Sequence, residues 1–212
     1  MKKRLAIFDL DGTLVDSGKV VATILNQIRI EIGKKEQDVS FFIPWLSLGG
    51  EELVANGLEI ELNKAKPFLD DFRGRYYEVL TPMDTVYEGV LNLLDHLVYR
   101  KVKICICTNK PRNLAEKVLR DTGLEKYFQY MCAGGDLKTK KPNPTNLDVC
   151  IKYFREDNQN VILIGDSSID QKTAAALGVD FAYFMHGYND GVEQSMVFCS
   201  FGSHIELKPL FN

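Results

Sequence analysis

The run LAIFDLDGT (5–13) constrains this chain more than any other stretch. Four apolar residues end at Phe8, and the carboxylates Asp9 and Asp11 follow, one residue apart. A continuous apolar run of this length is typical of a strand that is buried on both faces. Two like charges at the end of a buried strand repel each other, so the sequence must supply something that compensates for them.

Further apolar runs of strand length follow along the chain, at 102–107, 130–133, 161–164 and 181–184. Helical patterns separate them, at 89–100, 113–123, 144–154 and 168–178. Strands that alternate with helices in this way predict an α/β fold with a parallel sheet and crossover helices.

Residues 15–81 break this alternation, because they contain no convincing strand. Helical patterns occupy the stretch instead, at 20–33, 51–63 and 67–80. We therefore predict two units: a core made of 1–14 and 82–212, and a helical insertion made of 15–81. The segment TPMD (81–84) is the expected return hinge.

Polar side chains follow three of the predicted strands, and lysines precede one of the helices. These residues are Asp9, Asp11, Thr108, Asn109, Asp166 and Asp170, with Lys138, Lys140 and Lys141. In parallel sheets the ligand binds outside the carboxyl ends of the strands, so we expect these groups to converge there. Clustered carboxylates suit Mg²⁺ together with a substrate phosphate, and a lysine suits a phosphoryl oxygen. An aspartate beside a bound phosphate can act as a nucleophile, and a second carboxylate can act as the acid and base.

Composition narrows the class of protein. The chain has 212 residues, 45% hydrophobic content and a net charge of −3. The negative net charge argues against a nucleic-acid partner, because proteins that bind nucleic acids carry basic patches. No apolar run is long enough for a membrane span. The N-terminal apolar run is broken by aspartates and lacks a cleavage site, so we expect a mature cytoplasmic protein. Five cysteines without framework spacing indicate small packing residues in a reduced interior.

Four motifs together resemble the haloacid dehalogenase-like hydrolases. They are DLDGTLVD (9–16), TNK (108–110), KKPNP (140–144) and GDSSID (165–170), and their order and spacing agree with that family. The resemblance covers essentially the whole chain and is greatest to phosphoglycolate phosphatase-like enzymes. It implies a Rossmann-like parallel core with an inserted all-helical cap domain, here 15–81.

The resemblance also implies roles for single residues. Asp9 would be the nucleophile. Asp11 would be the general acid and base, and its backbone carbonyl would bind the metal. Asp9, Asp11, Asp166 and Asp170 would form the Mg²⁺ site, with Asp170 holding the lysine or a metal-bound water. Gly12, Thr108, Asn109 and Lys141 would contact the phosphoryl group, while Lys138 and Lys140 are interpreted as solvated neighbours.

Several alternatives stay open from the sequence. The expected partner is a small phosphorylated metabolite, such as phosphoglycolate, a sugar phosphate or a nucleoside monophosphate, and the expected state is a monomer or homodimer. A sugar phosphomutase and a catalytically silent binding module are the alternatives. Dehalogenases of this fold lack the second aspartate, and phosphonatases use a cap lysine, for which this chain offers Lys34, Lys35, Lys64 and Lys66. Substrate choice would come from the cap, through the loop WLSLGGEE (45–52), Trp45, Arg73 or Arg75.

Overall fold

The computed structural model describes residues 2–188 and 190–212. Within these residues six strands form a sheet in which all neighbouring strands are parallel. The strands are β1 (Leu5–Phe8), β2 (Lys103–Pro111), β3 (Tyr130–Gly134), β4 (Val161–Gly165), β5 (Asp180–Phe184) and β6 (Cys199–Phe201). Their order across the sheet is β3-β2-β1-β4-β5-β6. The predicted α/β fold with a parallel core is confirmed.

Two strands differ from the prediction. β2 continues to Pro111 instead of ending at Cys107, and its register with β3 shifts between these two residues. The polar run at 108–110 therefore belongs to the end of the strand and does not follow it. β6 was not predicted, because three residues are too few to show a pattern and the strand depends on pairing with β5.

A block of four α-helices follows β1. They are α1 (Gly18–Glu31), α2 (Val39–Leu46), α3 (Gly50–Leu58) and α4 (Ala65–Glu78), and α1 packs against the other three. α2 was not predicted, and it contains Pro44, a residue that sequence reasoning places at helix ends. Over 18–78 the described residues contain no strand. The division into a core (1–14 and 82–212) and a cap (15–81) stays a prediction.

Helices cover both faces of the sheet. After the block come α5 (Val90–Tyr99), α6 (Arg112–Asp121), α7 (Thr145–Phe154) and α8 (Ser168–Ala175). Successive side chains of a strand point to opposite faces. On β1, Ala6 and Phe8 therefore pack in the apolar layer of α5, α6 and the helical block, while Leu5 and Ile7 pack in the layer of α7 and α8.

The strand order positions the site. β1 lies between β2 and β4, so the carboxyl ends of these three strands are adjacent. The crevice between β1 and β4 is where the strand order reverses, and ligands of α/β proteins bind at such a switch point. No helix among the described residues has the length and apolar content that a membrane crossing requires.

Candidate active site

Three of the predicted carboxylates converge at the carboxyl ends of β1 and β4. Asp9, Asp166 and Asp170 each offer an oxygen atom, and these atoms lie within 4.8 Å of one another. Asp9 directly follows β1, Asp166 directly follows β4, and Asp170 lies in the first turn of α8. The strand order therefore brings together residues that are separated by more than 150 positions in the sequence.

Lys141 supplies the positive charge that the opening motif requires. Its ammonium nitrogen lies 2.6 Å from Asp170 Oδ1 and 2.9 Å from Asp9 Oδ1. The side chain is buried, and although burial opposes its charge, Asp170 and Asp9 raise the pKa of Lys141. The predicted lysine of the KKPNP motif is thus in contact with the expected nucleophile.

The side chain of Asn109 positions Lys141. The Asn109 amide accepts a hydrogen bond from the Lys141 backbone N–H at 2.8 Å and donates one to the Lys141 carbonyl at 3.0 Å. This pair of bonds fixes the loop before α7 against the end of β2. The predicted contact of Asn109 with a phosphoryl group stays a prediction, as does that of the buried Thr108, whose hydroxyl accepts from Lys110 N–H at 3.2 Å.

Asp166 is fixed by groups from two other segments. Its Oδ1 accepts from the Thr13 hydroxyl at 2.8 Å, and its Oδ2 accepts from the Tyr188 backbone N–H at 2.7 Å. Burial raises the pKa of Asp166 well above its usual range, and the nearby charges of Asp170 and Asp9 add to this effect. A cation bound among these carboxylates would favour their ionised forms.

The residues present fit a hard divalent cation. Asp9 Oδ1 is buried, and its ion-pair partner among the described residues is the Lys141 ammonium, 2.9 Å away. Burial raises the pKa of Asp9 to about 6, while Lys141 opposes this and Asp170 and Asp11 add to it. Three carboxylates around a single ammonium form the kind of oxygen-rich set that Mg²⁺ prefers.

Asp11 lies apart from the carboxylate cluster. Its Oδ1 accepts a hydrogen bond from the Ser17 hydroxyl at 2.7 Å, and Lys110 Nζ lies 3.0 Å from the same oxygen. The metal contact expected of Asp11 involves its backbone carbonyl and stays a prediction.

A cavity of about 470 Å³ opens above these groups. The core contributes Asp9, Asp11, Lys141 and Asp166, and the helical block contributes residues of α1, α3 and α4 and the loop from Ser47 to Gly50. Trp45, by contrast, packs against the apolar core of the block. None of the four lysines considered for phosphonatase chemistry is among the described residues that line this cavity.

Sequence reasoning missed five residues that complete the site: Thr13, Ser17, Tyr76, Lys110 and Tyr188. All of them contact a predicted site residue or one another. Thr13 and Lys110 lie in stretches that were already quoted as motifs, so motif position was an available signal for these two. Tyr76 carries no such signal, because only the packing of α4 brings it to the site.

The comparisons with known proteins agree with this geometry. A family model described as haloacid dehalogenase-like hydrolase matches residues 6–184. A phosphoglycolate phosphatase from Pseudomonas fluorescens is 31% identical over 196 residues, which make up 89% of this chain and 71% of the relative. Both the family match and the relative span most of the chain.

Two solved structures share the fold. A predicted phosphoglycolate phosphatase from Haemophilus somnus has a TM-score of 0.92 at 23% identity, and the match covers 100% of this chain and 99% of that one. A β-phosphoglucomutase from Clostridium difficile has a TM-score of 0.78 at 18% identity, with coverage of 97% and 93%. A fold shared by a phosphatase and a mutase does not decide the reaction. Since the family model matches residues 6–184, the chain belongs to the haloacid dehalogenase-like hydrolases.

Proposed function

We propose that this protein is a Mg²⁺-dependent phosphatase that hydrolyses a small phosphomonoester through an aspartyl phosphate on Asp9. One observation carries the proposal: the Asp9 carboxylate lies 2.9 Å from the buried Lys141 ammonium, beside Asp166 and Asp170. In this proposal Asp9 is the nucleophile, Lys141 is the cation that binds the phosphate, and Asp9 and Asp166 bind the metal, all at the carboxyl edge of the sheet. The curated relative is named a phosphoglycolate phosphatase, which supports the same reaction class.

The charges of the site favour a divalent cation. Asp9, Asp166 and Asp170 lie together around the single ammonium group of Lys141, and burial raises the pKa of Asp9 and of Asp166. A divalent cation would compensate the negative charge that these three carboxylates carry when they are ionised. Asp9, Asp166 and the backbone carbonyl of Asp11 would hold Mg²⁺, and Asp170 would act through Lys141. When bound, the ion would polarise a phosphoryl oxygen and offset the negative charge that develops there.

The reaction then proceeds in two steps. In the first, an Asp9 carboxylate oxygen attacks phosphorus, the bond to the ester oxygen breaks, and Asp11 gives its proton to that oxygen. In the second, Asp11 takes a proton from water, the water oxygen attacks phosphorus, and the Asp9–phosphorus bond breaks. Asp9 and Asp11 end in their starting states, and an alcohol and inorganic phosphate leave. Lys141 and Thr108 hold phosphoryl oxygens throughout.

The cavity favours a small substrate. A volume of about 470 Å³, bounded by the helical block, accommodates a metabolite more readily than a phosphorylated protein segment. Phosphoglycolate is the first candidate, because the Pseudomonas relative carries that name. A sugar phosphomutase and a nucleoside monophosphatase are the alternatives.

The test is a phosphate-release assay with and without Mg²⁺ on phosphoglycolate, p-nitrophenyl phosphate, sugar phosphates and nucleoside monophosphates. We expect wild-type turnover that is lost with EDTA and falls at least about 10³-fold in Asp9→Asn, because nucleophile and metal ligand are removed together. A parallel assay supplies β-glucose 1-phosphate with a bisphosphate activator. Formation of glucose 6-phosphate without release of inorganic phosphate from any ester would contradict the phosphatase and identify the protein as a phosphomutase. Folded protein that is inactive in both assays would contradict both enzymes and favour the catalytically silent binding module.

A further inference from the structure

The carboxylate of Asp11 is held in one orientation by neighbours that the proposed reaction does not yet use. The Ser17 hydroxyl donates to Asp11 Oδ1 at 2.7 Å. Lys110 Nζ lies 3.0 Å from the same oxygen and 3.1 Å from Oδ2. Oδ1 thus accepts two hydrogen bonds and Oδ2 only one, so Oδ2 keeps a lone pair that can exchange a proton. The side chain lines the cavity, where an ester oxygen would lie.

Lys110 is itself fixed by the helical block. Its ammonium donates to the Tyr76 hydroxyl at 3.0 Å, and it lies 4.2 Å from the centre of the Tyr76 ring. The lysine side chain is 7% exposed and Tyr76 is 1% exposed, so water does not compete for these bonds. The Lys110 ammonium thus contacts the Asp11 carboxylate, through both of its oxygens, and the Tyr76 hydroxyl.

Three separate elements meet at this point. Asp11 follows β1, Lys110 lies at the end of β2, and Tyr76 is on α4 of the helical block. The geometry points to Lys110 as a positioning residue, anchored by Tyr76, that fixes the Asp11 carboxylate for proton transfer to the ester oxygen. This inference rests on the proposed function. It also links the helical block to the chemistry, since α4 supplies the group that holds Lys110.

A second buried lysine provides the contrast. Lys117 on α6 is also 7% exposed, pairs with Asp121, and lies 6.0 Å from the centre of the same Tyr76 ring. It has no contact with Asp11 and is not among the described residues that line the cavity. Lys117 therefore matches Lys110 in burial and in ion pairing, and differs in access to the site.

The test compares leaving groups. p-Nitrophenolate leaves without protonation, whereas the alkoxide of phosphoglycolate needs a proton from Asp11. We expect Lys110→Met to lower kcat/KM for phosphoglycolate about 100-fold and that for p-nitrophenyl phosphate less than about 5-fold, following the usual size of general-acid effects. Asp11→Asn should show the same selectivity. Tyr76→Phe keeps the ring and loses one hydrogen bond. We therefore expect it to lower kcat/KM for phosphoglycolate about 5-fold, with a smaller loss for p-nitrophenyl phosphate.

The controls separate positioning from stability. The controls are Lys117→Met and, at the exposed tyrosine that follows Tyr76 on α4, Tyr77→Phe. Both should change the ratio of the two kcat/KM values less than twofold, whatever their effect on Tm. Equal losses on both substrates in Lys110→Met and Tyr76→Phe would overturn the inference, because a purely structural role does not depend on the leaving group. If Lys110→Met does not fold, Tyr76→Phe decides alone. Wild-type protein that releases phosphate from neither ester would instead reject the proposed function.

Discussion

Gly12 shows how a single residue sets the geometry of the site. Its φ is +79°, a conformation that residues with a Cβ adopt at a cost, and a Cβ placed there would lie 2.3 Å from Asp166 Oδ2. The same Cβ would meet the Tyr188 ring at 2.8 Å. The glycine expected to let a phosphate approach the backbone therefore also makes room for a predicted metal ligand.

We expect Gly12→Ala to lower the free energy of unfolding by about 2 kcal/mol or more, because left-handed strain and overpacking add. Phosphate release should fall with it, since Asp166 must move. Gly74→Ala is the matched control: Gly74 lies inside α4, and a Cβ there meets no atom within 4 Å. That change should be neutral or stabilising by up to about 1 kcal/mol. Urea unfolding monitored by circular dichroism measures both, and equal stability of the two variants would contradict the argument.

At the scale of elements, the two arginines of α4 lie in different environments. Arg75 donates both terminal nitrogens to Glu31 and pairs with Asp71. Arg73, two residues away on a helix, lines the cavity and has no ion-pair or hydrogen-bond partner among the described residues. The carboxylates among the described lining residues are Asp9, Asp11 and Asp166, which lie at the carboxyl ends of the strands, so an anionic group of a substrate would find Arg73 unpaired.

We expect Arg73→Ala to raise KM for phosphoglycolate about tenfold, the size of one charge-assisted hydrogen bond. KM for ethyl phosphate, which has the same carbon count and no carboxylate, should change less than twofold. Arg75→Ala should leave both KM values unchanged. Steady-state kinetics on the two esters tests this. An equal rise in KM for both esters in Arg73→Ala would show that Arg73 contacts the phosphate group or supports the fold, and not the carboxylate.

At the scale of the whole molecule, His204 connects the C-terminal segment to the sheet. It is fully buried in the 3₁₀ segment His204–Phe211, and its ring centre lies 4.6 Å from that of Phe184 and 5.3 Å from that of Phe201. Burial lowers the pKa of His204 from 6.5 to about 4, although backbone groups of Thr13 and Glu88 oppose the shift. Neither ring nitrogen has a hydrogen-bond partner with normal geometry among the described residues.

The sign of the pH dependence follows from this shift. Between pH 6.5 and about 4 the unfolded chain binds the His204 proton and the folded chain does not, so stability is lost as pH falls through this range. The loss attributable to His204 is about 3 kcal/mol at most. Asp9, whose pKa is raised to about 6, contributes with the opposite sign. The contribution of His204 is therefore measured as the difference in the free energy of unfolding between wild type and His204→Leu.

The measurement is the free energy of unfolding of both proteins at several pH values from 7 to 4. The gap between wild type and His204→Leu should narrow or reverse in favour of the variant as pH falls. His186→Gln, whose residue is exposed, serves as the control and should keep the wild-type profile. A gap that does not change with pH would show that His204 binds its proton equally in the folded and unfolded chains, which contradicts the lowered pKa of His204 in the fold.

The sequence alone determined the parallel α/β core, because buried strands show as continuous apolar runs and helices as periodic ones. It also determined which carboxylates and which lysine to examine, since the four motifs occur in order. It missed α2 and β6: Pro44 obscures the first, and the second has only three residues. Short elements depend on tertiary pairing more than on local pattern.

Only the tertiary structure decided which of these residues contact one another. The order β2-β1-β4 brings Asp9, Asp166 and Lys141 together and leaves the Asp11 carboxylate with Lys110. The packing of α4 brings Tyr76 to that lysine and turns Arg73 toward the cavity. Contacts between segments far apart in the chain depend on strand order and helix packing, and neither is encoded in a local stretch of sequence.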